Sequence, residues 1–140
     1  MRILKIENCP SLSGNSNLIY HVGCSDQGDI QFRLYGNTAS GFFSREWISM
    51  VNLEPMLSKE KITSGSFKPL FEGKSVNSSG FLLAALVHAG LAKSSEGKSR
   101  SYVRCDPSTF TATMQVLIDS GVNLDPEEKP AKNKKKREAP

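Results

Sequence analysis

One helix-length apolar segment constrains the fold of this chain more than any other feature. Every residue from 81 to 87 is apolar, and Gly90 follows closely as a stop signal. A helix that is apolar on all sides is buried all round, and a chain of 140 residues is long enough to supply such a core without disulfides or metals. The complete apolar run, 80–92, is interrupted by His88 and is too short to span a bilayer. The sequence therefore predicts a buried helix with only its first turn accessible.

The first 43 residues have the pattern of β-strands. Segments 2–6, 17–24 and 29–35 are short and alternate, or are rich in β-branched and aromatic residues. The loop 25–28 contains Gly28, which allows a positive φ, so the second and third segments are predicted to form a hairpin. This part indicates a small antiparallel sheet.

Helices and a second hairpin are predicted after residue 43. A helix is expected over 43–61, with Ser44 as its N-cap and Trp47 as the core anchor that closes it onto the sheet. Pro55 breaks or restarts this helix, so a second short helix at 54–59 is also possible. Further expected elements are a short helix at 66–72, the apolar helix to His88, strands at 91–93 and 101–105, and a last helix at 108–118.

The resulting fold class is α+β, in three parts. Residues 1–61 form the antiparallel β-rich segment plus a helix, and 62–124 form a helical half that packs with it as one compact unit. Residues 125–140 form a basic tail in which alanine is the only apolar residue able to join a core, so the tail is predicted to be disordered. Segment 61–105 and the end of the tail, 129–140, each carry a net charge of +5, whereas 106–128 carries −5.

The order of elements in the second part carries a resemblance. A short helix, a tight turn, a second helix and a two-stranded hairpin follow one another, and FLLAALVHAGLAKSSEGKSRSYVRC joins the apolar helix to a basic loop and an aromatic-led strand. Over about residues 62–118 this order resembles a winged helix-turn-helix domain. The resemblance implies binding of nucleic acid, with double-stranded DNA as the expected partner, the start of the apolar helix at its major groove and the hairpin as the wing.

The resemblance implies a set of nucleic-acid-binding residues. At the start of the helix, amide, hydroxyl and ammonium groups would contact bases or phosphates, and on the wing the basic side chains would meet the DNA backbone or the minor groove. The tail run would add nonspecific attraction through counterion release, although a purely solubilising tail is an equal alternative. These residues are Lys74, Asn77, Ser78, Ser79, Lys93, Lys98, Arg100, Arg104, Lys134, Lys135, Lys136 and Arg137.

The sequence leaves a second hypothesis open. Phe42, Phe43 and Trp47 are anchors of the type found in protein interfaces, so the chain could instead be an interaction module, a subunit or inhibitor of a larger nucleic-acid-handling complex. Tyr102 is expected to pack rather than to stack on bases.

Signals of catalysis, metal binding and export are weak. The chain has two histidines, His21 and His88, each explained as a structural residue, and its three cysteines are widely spaced. We therefore expect no enzyme activity, no metal and no cofactor. The odd number of cysteines and the absence of an apolar stretch at the N-terminus favour a cytoplasmic protein that does not contact membranes.

Overall fold

The computed structural model describes residues 1–38, 43–75, 77–95 and 100–126. Four antiparallel strands form one sheet in chain order: β1 (Arg2–Pro10), β2 (Asn17–Cys24), β3 (Ile30–Asn37) and β4 (Ile48–Ser49). Three helices and a separate two-stranded hairpin come after this sheet in the described chain, which confirms the predicted α+β class. The predicted disordered tail beyond residue 126 lies outside the described residues.

The two faces of the sheet differ in chemistry because side chains alternate along each strand. On β2 and β3, the side chains of Tyr20, Val22 and Phe32 belong to the buried hydrophobic core. Their neighbours His21 and Arg33, which are cross-strand partners, lie on the opposite face. We call the first the core face and the second the outer face.

The first helix, α1 (Met50–Leu57), begins later than the sequence predicts. Ser49, not Ser44, is its N-cap and accepts a hydrogen bond from the backbone N–H of Val51 at 3.1 Å. The prediction of a helix over 43–61 is wrong because Ile48 and Ser49 pair with β3 as strand β4, an interaction with a distant segment. Pro55 lies inside α1, so neither a break nor a separate helix at 54–59 forms.

The apolar segment forms α2 (Asn77–His88), which is the centre of the core as predicted. Residues 82–86 are all buried, and α2 contacts three strands of the sheet as well as a short 3₁₀ helix (Lys68–Phe71). Gly90 ends the helix with a φ of 88°, a conformation that favours glycine. Among the described residues no helix combines the length and apolar character needed to cross a bilayer.

The hairpin after α2 consists of β5 (Ala92–Ser94) and β6 (Tyr102–Arg104). Ile62, which follows α1, bridges to Tyr102 through two backbone hydrogen bonds of 2.9 and 2.7 Å. Ile62 therefore adds one bridge to β6. This bridge joins the segment after α1 to the hairpin.

The last helix, α3 (Ser108–Ser120), is joined to the N-terminal strand. The Arg2 guanidinium donates to the carbonyl oxygens of Leu117, Ile118 and Val122, which lie at or just past the end of this helix. A cation is favourable there because carbonyl groups at a helix C-terminus lack intrahelical partners. The backbone N–H of Leu124 also donates to the carbonyl of Ile3 at 2.8 Å, so the two ends of the described chain meet at β1.

We predict that Gly23→Ala destabilises the fold. A Cβ at position 23 would lie 2.7 Å from two ring carbons of Trp47 and 3.0 Å from the Arg2 carbonyl oxygen. Overpacking of this kind costs about 1–3 kcal/mol. Urea unfolding measures the loss, and Gly65→Ala is the matched control because its nearest atom is 3.7 Å away. Equal stability of the two variants would show that Trp47 does not pack against Gly23.

Candidate nucleic-acid interface

A groove with a volume of about 700 Å³ lies where four segments of the chain meet. These segments are the turn between β1 and β2, the stretch leading into the 3₁₀ helix, the first turns of α2 and the hairpin. We call it the basic groove, and its lining residues are Ser11, Leu12, Ser13, Ser64, Lys68, Asn77, Gly80, Phe81, Arg100 and Tyr102.

The lining of the basic groove is cationic, hydrogen-bonding and aromatic. Lys68 and Arg100 supply positive charge, and none of the lining residues that the structure describes carries a carboxylate. Phe81 and Tyr102 add aromatic rings, while hydroxyl groups and the amide of Asn77 can donate or accept hydrogen bonds. This combination suits a ligand that carries both negative charge and flat apolar groups.

Arg100 has an unusual backbone conformation. Its φ is 61°, the left-handed region that residues with a Cβ adopt at a cost of roughly 1–2 kcal/mol. Such conformations persist where the surrounding structure imposes them, and they concentrate at functional sites. The fold thus places one of the two groove cations at a disfavoured position in the hairpin.

The structure assigns Ser78 and Ser79 to the interior, in contrast to the predicted role in contacting nucleic acid. Ser78 is 0% exposed and its Oγ accepts a hydrogen bond from the backbone N–H of Ser44 at 2.8 Å. Ser79 is 2% exposed, accepts from the N–H of Phe67 at 3.1 Å and donates to the carbonyl of Ser64. Both hydroxyls hold backbone segments against α2, so neither is accessible to a ligand.

The other predicted residues are distributed over several surfaces. Asn77 and Arg100 line the basic groove, but Lys74 lies 3.7 Å from the Glu46 carboxylate. Arg104 forms an ion pair of 2.6 Å with Glu54 and so holds the hairpin to α1. Lys93 is exposed on the other face of the hairpin from Arg104, since their positions differ by one in the pairing register. The remaining members, Lys98, Lys134, Lys135, Lys136 and Arg137, lie outside the described residues.

Of the ten described lining residues only Asn77 and Arg100 were predicted as ligand contacts, and the charged and aromatic residues among the other eight are Lys68, Phe81 and Tyr102. Lys68 belongs to the basic segment 61–105, which was the available signal. Phe81 was assigned wholly to the core, yet it is only partly buried. The Tyr102 ring packs against the core but is only partly buried, and because it also lines the groove it can contact a ligand, which the sequence did not predict.

A second basic and aromatic cluster covers part of the outer face of the sheet. The Arg33 guanidinium lies 4.5 Å from the ring centre of Trp47 and 5.1 Å from that of Tyr35. The Arg45 guanidinium lies 4.7 Å from the same Tyr35 ring and 5.7 Å from that of Phe43. Rings and cations therefore alternate in a single series, which we call the arginine ladder: Trp47, Arg33, Tyr35, Arg45 and Phe43.

The position of Trp47 in the arginine ladder shows that the prediction of a core anchor at this residue is wrong. Trp47 is partly exposed and lies over Gly23 on the outer face, so it does not close a helix onto the core. Phe43 is partly buried and its ring lies 6.2 Å from that of Phe81. Phe42 lies outside the described residues.

His21 lies beneath this ladder and is completely buried. Its ring stacks on Tyr35 at 4.3 Å, and its Nδ1 accepts a hydrogen bond from the Arg33 Nε at 3.1 Å. Because Arg33 can only donate, the proton of neutral His21 is on Nε2, where no described group accepts it. Burial, reinforced by the Arg33 and Arg45 charges, lowers the pKa of His21 to about 4.

Groups suited to metal binding or nucleophilic chemistry are not brought together in the described part of the chain. No three His, Cys, Asp or Glu side chains there are placed to hold a metal ion. Cys9 and Cys24 are buried on the core face, away from His21 on the outer face. Burial, with a smaller contribution from Glu7, raises the pKa of the Cys9 thiol to about 11, which keeps it protonated and unreactive near neutral pH.

We predict that the free energy of unfolding falls in acid because of His21. Its pKa is about 4 in the folded chain and about 6.5 when unfolded. The unfolded chain therefore binds a proton first, and this contribution is complete above pH 6.5 and is lost as the pH falls towards 4. The loss is up to about 3 kcal/mol.

Urea unfolding at a series of pH values measures this slope. His21→Asn is the comparison, because its side-chain oxygen can accept from Arg33 without titrating. The variant is expected to have a flatter profile between pH 6.5 and 4. A His21 imidazole that titrates near 6.5 in NMR spectra of the folded protein, its signal assigned by its loss in His21→Asn, would contradict the prediction.

Comparison with known proteins does not add a function to these sites. Searches of protein-family models, curated proteins and solved structures gave no match to this chain. The chemistry of the basic groove and of the surfaces around it is therefore the basis for assigning a function.

Proposed function

We propose that this chain is a small nucleic-acid-binding accessory or regulatory protein that holds its ligand in the basic groove. The observation that carries the proposal is the described lining of the groove, residues 1–38, 43–75, 77–95 and 100–126 being described, which combines two cations, hydrogen-bonding groups and two aromatic rings without a carboxylate. Phosphates, sugars and bases require these three kinds of contact. The protein is proposed to bind rather than to catalyse.

The order of elements around the groove supports this proposal. The 3₁₀ helix, α2 and the β5–β6 hairpin follow one another, and Ile62 pairs with the hairpin from the segment after α1. This order is similar to that of a winged helix-turn-helix domain, in which the start of the second helix and the wing contact DNA. In this chain the corresponding elements contribute Asn77 and Arg100 to the groove.

The proposed roles differ among the groove residues. Lys68 and Arg100 bind phosphates, because they are the two cations of the lining. Asn77 is placed to contact a base or the backbone at the first residue of α2. The basic tail adds nonspecific attraction to polyanions.

The alternative function, a protein-interaction module, has weaker support. Phe43 and Trp47, its predicted anchors, already contact arginine guanidinium groups and are partly buried. Interface anchors are typically rings that insert into a pocket of the partner. We therefore place nucleic-acid binding first.

We predict that Lys68→Ala with Arg100→Ala weakens binding of the full chain to labelled DNA, in single-stranded or duplex form. Loss of two phosphate contacts lowers the slope of log K against log salt by about 1.4 for single strands or 1.8 for duplex. At a fixed salt concentration near 0.1 M, the affinity should fall roughly tenfold or more. Fluorescence anisotropy across a salt series measures both quantities.

Two further variants make this test specific to the groove. Lys59→Ala with Lys61→Ala removes the same charge from exposed positions that do not line the groove, and should have a much smaller effect. Neutralisation of Lys134–Arg137 to glutamine removes the tail contribution from an otherwise complete chain. If only the tail variant loses affinity, the groove is not the binding site and the proposed function is wrong.

A further inference from the structure

The arginine ladder has an excess of positive charge. Among the described residues, neither Arg33 nor Arg45 forms an ion pair with a carboxylate. The acidic neighbour of Arg45 in the sequence, Glu46, is directed elsewhere: its Oε1 accepts from the Ser44 hydroxyl at 2.9 Å and lies 3.7 Å from the Lys74 Nζ. Two guanidinium groups thus share the Tyr35 ring and repel each other.

Stacking leaves the hydrogen-bonding edges of these guanidinium groups available. A guanidinium contacts an aromatic ring through its flat face, while its N–H donors lie in its plane and point outward. Arg33 uses its Nε–H for His21, so its terminal N–H groups remain. Arg45 is exposed, and no described group accepts a hydrogen bond from it. Planar forks of this kind are matched to phosphate oxygens.

The ladder is continuous with the basic groove. Its terminal ring, Phe43, lies 6.2 Å from the ring of Phe81 at an interplanar angle of 64°. Phe81 is itself part of the groove lining. A ligand that leaves the groove past Phe81 therefore reaches Phe43 first and Arg45 next.

We propose that the arginine ladder binds the phosphates of a single nucleic-acid strand whose adjacent nucleotides occupy the basic groove. The ligand is a single strand because Phe81 and Tyr102 can stack only on bases that are unpaired and unstacked from their neighbours. A duplex keeps its base faces inside and would have to open to use this groove. This inference rests on the proposed function, since the strand is the one held in the groove.

Trp47 makes the ladder directly observable. It is the only tryptophan of the chain, and its ring lies 4.5 Å from the Arg33 guanidinium. The probe is a thymidine oligonucleotide of about 20 residues, longer than the roughly 4–16 nucleotides that one single-strand-binding fold covers. Titration of the full chain should change Trp47 emission with the same midpoint as the anisotropy of the labelled oligonucleotide.

Arg45→Gln should weaken binding of this oligonucleotide roughly three- to tenfold near 0.1 M salt, the electrostatic contribution of one single-strand phosphate contact. It should also lower the salt slope by about 0.7, the loss of one single-strand phosphate contact. Arg45→Lys keeps the charge without the planar fork and should retain an intermediate affinity. Lys59→Gln is the matched control at another exposed position, with unchanged affinity expected. Thermal unfolding of each variant confirms that the fold is intact.

The outcomes separate this inference from the proposed function. If the oligonucleotide binds and Lys68→Ala with Arg100→Ala weakens it, while Arg45→Gln and Trp47 emission show no effect, the ladder inference is overturned and the groove stands. If Arg45→Gln alone weakens binding, the ladder carries the ligand and the proposed groove is wrong. Binding of a duplex that is tighter than that of the single strand and equally dependent on Arg45 overturns the single-strand assignment.

Discussion

The burial of α2 is the constraint on which the rest of this structure depends. Residues 82–86 have no accessible side, because the sheet, the 3₁₀ helix and the hairpin strand β5 all contact the helix. A recognition helix that displays polar side chains along its length is therefore impossible here. What α2 itself can offer to a ligand is confined to exposed or partly exposed residues of its first turns, such as Asn77 and Phe81, and these line the basic groove.

The same packing explains why polar residues at the start of α2 are structural. Ser78 and Ser79 accept the backbone N–H groups of Ser44 and Phe67, two segments that would otherwise bury unpaired donors. An unsatisfied buried donor costs about 1–3 kcal/mol. These hydroxyls therefore fix the positions of Phe43 and of the 3₁₀ helix, the two elements that bring the arginine ladder and Lys68 next to α2.

The parts of the fold that sequence could predict are those determined by local pattern. Alternation over 17–24 and 29–35 located two strands, and an uninterrupted apolar run located α2. The error at 43–49 has a non-local cause: spacing near Trp47 fits a helix, but the pairing of Ile48 with Phe32 depends on a strand fifteen or more positions away. The burial of Ser78 and Ser79 has the same kind of cause, since their partners are distant in sequence.

The residues of the candidate site were harder to predict from the sequence than the elements of the fold. Asn77 and Arg100 were found through a resemblance to an element order, whereas Lys68 and Phe81 entered only when four separate segments were brought together. The arginine ladder required both the sheet register and the irregular segment that carries Arg45: the aromatic residues around Arg45 stand out in the sequence, but their contacts with Arg33 and Tyr35 depend on how that segment lies on the sheet.

The composition of the two surfaces bears on what kind of recognition they can support. Specific reading of bases requires side chains that pair with base edges at fixed positions. The basic groove offers one amide, that of Asn77, together with hydroxyl groups, which discriminate bases weakly. In the proposed mode of binding its cations and rings, like those of the ladder, would contact phosphates and base faces that all nucleotides share. A strand held in this way would be bound with strong dependence on salt and little dependence on sequence, as suits an accessory protein that follows a nucleic acid rather than selects a site on it.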